Sequence, residues 1–352
     1  MELGDSEGRR REAVNMTARG PDARKQLLMA APLPQLIQET LERRFLVHRL
    51  YEASDRQAAL EQAVGARVIA TGVPILVQDV NVPIDAAMMD RLPKLELIAN
   101  LGVGYDNIDV EAAAARGIIV THTPDVLTEE TADTAFGLLL NAVRQLPRAE
   151  RFLREGRWLQ SQFELSASLR GRTMGILGLG RIGAAIARRA QAFGVQVVYH
   201  NRKPVAGAPY RYFDKLIDMA RACDILMIAI PGGARTRHLV DASVLEALGP
   251  QGVLINIARG SIVDEQALIE ALQTDKILAA GLDVFAHEPR VPQALIDMEH
   301  VVLLPHVGSA SQATRDAMSM VVVENVFAWD MGADIPCPVP ETPWRRAPKQ
   351  AS

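Results

Sequence analysis

The chain has 352 residues, 49% of them apolar and 23% charged, with a net charge of −4 at pH 7. That length suits about two domains with cores of their own, and the balance of charge gives no electrostatic basis for binding nucleic acid or an anionic membrane surface. Cys223 and Cys337 are too few for a disulfide framework and lack the spacing of a zinc site or redox pair; the expectation is a small-molecule ligand, no metal, and a reducing, cytoplasmic setting.

Residues 1–25 are polar and aperiodic, and the basic cluster Arg9 to Arg11 lacks the apolar segment a signal peptide would place after it. They read as a disordered extension. From Gln26 onward, short apolar runs ("QLLMAA", "ARVIATG", "KLELIANLGVG", "GIIVTHT") alternate with amphipathic stretches, the pattern of parallel βαβ units. None of these runs approaches the ~20 residues of a membrane helix. A long helical stretch follows over Asp125 to Gly156, expected to start near Thr128, where a hydroxyl and the acids Glu129 and Glu130 suit a positive helix N-terminus.

A second alternating series runs from Thr173 to His306. It opens on "TMGILGLGRIG", in which an apolar strand enters Gly178-x-Gly180-x-x-Gly183 and a helix follows. The first glycine allows the tight turn, the second lets backbone approach a pyrophosphate, and the third lets helix and strand meet closely. The helix start offers free N–H groups and a partial positive charge to phosphate. About twenty residues on, where an NAD site offers a carboxylate to the ribose, this chain reads His200, Asn201, Arg202, Lys203. Arg202 can fork onto a 2′-phosphate and Lys203 can add a point charge, which predicts NADP(H) as the preferred cofactor, with NAD(H) possible.

Three further segments set a charged residue just after an apolar strand: "GVLINIARGSIVDE" delivers Arg259, "ILAAGLDVFAHEP" delivers Asp283 and Glu288, and "HVVLLPHVGSA" delivers His306. Ligands of open α/β sheets bind at the carboxyl ends of strands, so these residues converge on the edge that carries the glycine loop. Arg259 can hold a substrate carboxylate and polarise the neighbouring carbonyl, and His306 can give or take a proton. Glu288 on the other ring nitrogen would fix the tautomer and favour the imidazolium. Gly308 and Ser309 keep the turn after His306 small enough for a nicotinamide to lie close. His287, beside Glu288, is the nearest competitor for the acid–base role; His48, His122, His200, His238 and His300 read as structural or solvent-facing. The final 45 residues hold one good helix, "SQATRDAMSMVVVENVFAWDMG", which is expected to cross back onto the first series. "CPVPETPWRRAPKQAS" reads as a surface tail, and Asp79 to Asp85 and Trp329 as candidates for the substrate side-chain pocket.

The segments "LGVGYDNID", "VLTEETADTAFGLLL", "GILGLGRIG", "GVLINIARGSIVDE", "GLDVFAHEP" and "LLPHVGSA" together resemble the D-2-hydroxyacid dehydrogenase family, especially its glyoxylate, hydroxypyruvate and hydroxyphenylpyruvate reductase branch. The resemblance implies that Arg259, Glu288 and His306 are catalytic and that main-chain N–H groups of Val103 and Gly104 hold the substrate carboxylate, with Arg259. It implies cofactor contacts at Arg181, Ile182, Asn201, Arg202, Lys203, Ile230, Pro231, Thr236, Ile257 and Ala258, at Asp283 toward the carboxamide, and at His306 and Gly308. It also implies a cleft that closes on substrate and a homodimer through the helix near Thr131 to Leu146. "PGGARTRH" is more glycine-rich than the family usually is, which makes Thr236 a weaker assignment than Arg259.

The expected fold is α/β, with two doubly wound parallel-sheet domains. A Rossmann NAD(P)-binding domain over 125–307 would be inserted into a discontinuous, flavodoxin-like substrate-binding domain over 26–124 and 308–340, with a flexible tail at 341–352. The expected activity is reduction of small 2-oxo acids such as glyoxylate and hydroxypyruvate to D-2-hydroxy acids. A nucleotide-sensing, corepressor-like protein on the same fold, or a reductase of bulkier substrates (hydroxyphenylpyruvate, 2-ketogluconate), are the alternatives.

Overall fold

The computed structural model describes residues 24–72 and 82–344. The readings placed on residues 1–23, 79–81 and 345–352 lie outside these. The chain divides into two compact units, one reaching to Thr123 and resuming at Met318, the other running from Pro124 to Ala317.

In the first unit, β1 (Gln26–Met29), α1 (Gln35–Glu42), β2 (Leu46–Arg49), α2 (Arg56–Gln62), β3 (Ala66–Gly72), α3 (Ala86–Asp90), β4 (Leu97–Leu101), α4 (Val110–Ala115) and β5 (Ile119–Thr121) alternate. The five strands are all parallel, in the order β2-β1-β3-β4-β5. This is the flavodoxin-like arrangement, whose strand order reverses beside β1. All five residues of β4 are buried, as a strand covered on both faces must be.

The second unit begins with α5 (Thr128–Arg144) and α6 (Leu146–Arg154), then β6 (Thr173–Leu177), α7 (Arg181–Ala192), β7 (Gln196–His200), β8 (Arg211–Phe213), α8 (Leu216–Arg221), β9 (Ile225–Ile228), α9 (Ala242–Leu248), β10 (Val253–Asn256), α10 (Glu265–Gln273), β11 (Ala279–Leu282), α11 (Gln293–Ile296) and β12 (Val301–Leu303). Its seven strands are parallel in the order β12-β11-β10-β9-β6-β7-β8, the Rossmann order extended by one strand. The period of two sorts the core: Leu226, Ile228 and Leu254 face a cluster with Met219 and Leu268, while Ile225, Met227, Val253 and Ile255 face one with Leu138 and Ile186. Each such side chain contributes about 1.5–3 kcal/mol by leaving water, so both faces of the sheet are anchored to helices.

The long helical stretch is in fact two helices. Gln145 adopts a left-handed conformation (φ 51°) and Pro147 occupies the first turn of α6. A proline there could not continue α5, because it lacks an N–H and its ring would clash with the preceding turn. Thr128 is the first helical residue rather than the cap; the preceding Leu127 provides no side-chain cap, and Glu129 instead pairs with Arg188 (2.6 Å) and Arg189 (2.8 Å) of α7.

The last helix, α12 (Gln312–Met331), carries the chain back to the first unit. The return falls inside this helix, not at 307/308, because the turn at Gly308 is held by Asp283 and Thr134 of the second unit. Beyond it, Cys337 to Thr342 are not a surface tail. The Cys337 carbonyl accepts from the His122 N–H (3.1 Å), the Val339 N–H donates to the Val120 carbonyl (2.9 Å), and the Thr342 hydroxyl oxygen accepts from the Val120 N–H (2.8 Å). Val339 is fully buried, so the segment straps the edge strand β5.

Candidate active site

Because all seven strands of the second unit run the same way, the loops after β6, β9, β10, β11 and β12 open on one edge of the sheet. The glycine loop after β6 sits mid-sheet, with β7 on one side and β9 to β12 on the other.

Each glycine of the loop has a separate reason. Gly178 has φ 104°, and a Cβ there would lie 2.7 Å from the Ala229 carbonyl oxygen. A Cβ on Gly183 would stand 2.0 Å from the Gly178 carbonyl oxygen, so α7 could not start so close to β6 with any other residue. Gly180 is different: a Cβ there meets nothing within 4 Å. The space over Gly180, at the start of α7, is therefore open to a ligand rather than needed for folding. With unpaired N–H groups of a helix start facing it, this cradle fits the pyrophosphate of a dinucleotide. Asn201 ties the loop down, accepting from the Leu179 N–H at 2.7 Å, while Arg202 and Lys203 are exposed beyond it. Arg181, at the first position of α7, carries its side chain to Asp125 (2.6 Å). Ile182 and Ile230 are half-buried and Pro231 is exposed. Thr236 lies in a short turn, its hydroxyl donating to the Pro231 carbonyl oxygen (3.0 Å).

On the other side of the loop, three charged groups are drawn together. Gly260 abuts the backbone of Phe285 so closely that a Cβ would fall 1.9 Å from the Phe285 carbonyl carbon. That contact brings the loop after β10, with buried Ile257 and Ala258 and half-buried Arg259, against the loop after β11. Glu288 uses both carboxylate oxygens: Oε1 accepts from the Phe285 N–H (3.0 Å) and Oε2 from His306 Nδ1 (2.7 Å). A carboxylate accepts and does not donate, so Nδ1 carries the proton and Nε2 is the nitrogen left for a substrate. Burial pushes the Glu288 carboxyl upward, but the His306 hydrogen bond and charge, the Phe285 N–H and the Arg259 charge outweigh it and hold the group below the usual range. His287 is exposed, and the geometry pairs Glu288 with His306 instead.

His306 has φ 53°, a left-handed conformation that costs a non-glycine residue about 1–2 kcal/mol. Asp283 over-determines it. The Asp283 carbonyl oxygen accepts from the His306 N–H (2.9 Å), Oδ1 from the Val307 N–H (2.7 Å) and Oδ2 from the Gly308 N–H (2.8 Å). At 1% exposure this carboxyl is desolvated enough that its pKa is raised despite those bonds. Whatever it contributes toward a carboxamide, Asp283 thus also holds the backbone on which His306 stands.

Sequence reasoning missed two buried amides. Asn256, the last residue of β10, accepts from the Ala258 N–H (3.0 Å) and donates to the Arg259 carbonyl (2.9 Å). Asn100 near the end of β4 donates to the carbonyls of Gly102 (3.3 Å) and Gly104 (3.0 Å). The available signal was an asparagine inside an otherwise apolar strand, in "VLIN" and "LIANL". Val103 and Gly104 lie in that loop of the first unit and are half-buried. Trp329 is not near a strand's carboxyl end. It is buried at the opposite edge, its Nε1 donating to Glu96 (3.1 Å), with the Lys25 ammonium 4.6 Å from its ring.

A nucleotide cradle beside an arginine and a carboxylate-oriented histidine defines a nicotinamide-dependent oxidoreductase site. The model of the D-isomer specific 2-hydroxyacid dehydrogenase NAD-binding domain matches residues 136–308. Glyoxylate/hydroxypyruvate reductase A of Arabidopsis thaliana is 42% identical over 313 residues, 89% of this chain and 98% of that protein. Hydroxyphenylpyruvate reductase of Plectranthus scutellarioides is 39% identical over 314 residues, again 89% of this chain and 98% of that protein. An NADPH-dependent glyoxylate/hydroxypyruvate reductase from Sinorhizobium meliloti, solved with NADP and malonate, superimposes with a TM-score of 0.84 at 49% identity, covering 92% of this chain and 99% of that one. The chain belongs to the D-isomer specific 2-hydroxyacid dehydrogenase family and is an oxidoreductase of that family; its similarity to named reductases does not favour the corepressor-like alternative. Among the described residues no helix is long and apolar enough to cross a membrane.

Proposed function

We propose that this protein is an NADPH-preferring reductase of small 2-oxo acids, with glyoxylate and hydroxypyruvate as substrates and D-2-hydroxy acids as products. The observation that carries the reading is the His306–Glu288 pair at 2.7 Å, on the same strand-end edge as the glycine cradle and Arg259. When bound, the dihydronicotinamide supplies hydride to the carbonyl carbon. His306 Nε2 gives its proton to the carbonyl oxygen, and Glu288 stabilises the imidazolium before transfer and keeps the ring in register. Arg259 offsets charge developing on that oxygen and, with the Val103 and Gly104 N–H groups, takes the carboxylate. The first N–H groups of α7 would hold the pyrophosphate, and exposed Arg202 and Lys203 the 2′-phosphate. In this reading the second unit is the nucleotide domain and the first the substrate domain.

The Sinorhizobium relative's NADP complex supports the cofactor assignment. A homodimer through α5 is supported by a groove of about 480 Å³ beside Gly137, Asn141 and Arg148, and by the exposed apolar side chains Leu153, Trp158, Leu159 and Leu165 that follow. Two free cysteines, one of them buried, suit a cytoplasmic protein. The test is NADPH and NADH oxidation with glyoxylate, hydroxypyruvate, phenylpyruvate and 2-ketogluconate. The first two should give the highest kcat/KM, with NADPH preferred, and His306→Ala should lose roughly 10²-fold or more in kcat while still binding NADPH. Near-normal turnover of that variant would return the acid–base role to His287.

A further inference from the structure

The loop after β4 holds its Gly102 N–H on the Thr123 hydroxyl (3.0 Å) and captures the carbonyls of Gly102, Val103 and Gly104, but not the N–H groups of Val103 and Gly104. The Gly102 carbonyl accepts from the Thr123 N–H (2.9 Å) and from Asn100 Nδ2 (3.3 Å). The Val103 carbonyl lies 3.2 Å from His122 Nδ1, and the Gly104 carbonyl accepts from Asn100 Nδ2 at 3.0 Å. In a trans peptide the C=O and the following N–H point in opposite directions. Pinning the Gly102 carbonyl therefore turns the Val103 N–H away from Asn100 and Thr123, and pinning the Val103 carbonyl turns the Gly104 N–H away from His122. Neither N–H makes a hydrogen bond among the described residues. Two consecutive half-buried N–H groups without a partner among the described residues are donors that this loop can offer to an anion.

We propose that His122 is a positioning residue for the substrate carboxylate, acting through the Val103 carbonyl to aim the Gly104 N–H. A carbonyl can only accept, so His122 must carry its proton on Nδ1. The ring is itself held. Its backbone N–H donates to the Cys337 carbonyl, and Tyr105 lies edge-on to it with centroids 5.7 Å apart. The Tyr105 hydroxyl donates to Glu341 (3.1 Å), so the strap over β5 also braces the loop. The histidine that sequence reading left without a partner thus has one beneath the proposed carboxylate site.

The inference rests on the 2-oxo acid reading, and the test separates the two. His122→Leu removes the donor; His122→Asn places an amide N–H where Nδ1 stands. KM for glyoxylate and the inhibition constant for malonate should rise together by about tenfold in His122→Leu, the scale of one hydrogen bond to a bound anion. The same constants should return to near wild type in His122→Asn. KM for NADPH and the unfolding midpoint should stay close to wild type in both, which distinguishes positioning from general damage. A His122→Leu enzyme with wild-type constants, or a His122→Asn enzyme as impaired as His122→Leu, overturns the assignment. A wild-type protein that reduces no 2-oxo acid refutes the reductase reading itself and, with it, this inference.

Discussion

Asp283 offers the sharpest test of how the site is held. Replacing it with alanine leaves its main-chain carbonyl bond to the His306 N–H but deletes both acceptors for the Val307 and Gly308 N–H groups. Each donor stranded away from water costs about 1–3 kcal/mol. Part of that returns, because the carboxyl is itself desolvated and its pKa is raised by burial. The net loss should be about 2–4 kcal/mol, or a fall of roughly 5–10 °C in Tm. The functional loss should be larger than stability alone implies. Without the clamp, His306 can relax from φ 53° toward ordinary backbone, and a displacement of about 1 Å in a reacting group costs on the order of 10²-fold in rate. Asp283→Asn should behave similarly, since its amide presents a donor to one of the two N–H groups. The assay is kcat at saturating NADPH and glyoxylate, alongside thermal unfolding. Wild-type kcat and Tm in either variant would refute the clamp.

Three further outcomes are expected. Arg202→Asp should reverse the NADPH-over-NADH ratio of kcat/KM by about ten- to a hundredfold, the scale of one or two charge-assisted hydrogen bonds; an unchanged ratio would remove Arg202 from the 2′-phosphate site. Gly180→Ala, whose methyl meets nothing within 4 Å, should keep the wild-type Tm but weaken NADPH binding in calorimetry, whereas Gly183→Ala, with its Cβ 2.0 Å from the Gly178 oxygen, should lose both. Because the Glu288 carboxyl is held below its usual range, it stabilises the fold at pH above the unfolded value, and that contribution is lost as pH falls through the folded value. The Tm difference between wild type and Glu288→Gln should therefore shrink on titration from pH 7 toward pH 3; a constant difference would show that the shift does not operate.

The parallel architecture was legible because apolar runs alternated with amphipathic ones, and parallel strands force their following loops onto one edge. Arg259, Glu288 and His306 could be singled out on that ground before any distance was known, and the structure places Glu288 against His306 while leaving His287 exposed. What could not be read were contacts that depend on residues far apart in the chain. His122 looked idle because its partner is a main-chain carbonyl, which leaves no mark in the sequence. Asn100 and Asn256 looked like stray polar residues within strands. Trp329 was offered as a pocket residue because its size is visible in the sequence and its end of the sheet is not. The stretch from Cys337 to Thr342 read as part of a tail because the end of the sequence is Pro-rich and polar, although Val339 is fully buried.

That strap bears on the order in which the protein can be completed during synthesis. The five-stranded sheet is encoded by the first part of the chain, yet its edge strand β5 is covered by residues made only after the whole second unit. Asp330, which pairs with Lys25 (2.6 Å) and Arg44 (2.6 Å), and Trp329 come equally late. Domains usually mature from the N-terminus as they leave the ribosome. Here the second unit, continuous from Pro124 to Ala317, has all its strands before the first unit has its last helix. The first unit must wait with β5 uncovered, and an uncovered strand edge invites pairing with another chain. Nascent chains arrested before Gln312 should therefore expose the β5 edge that the finished protein hides.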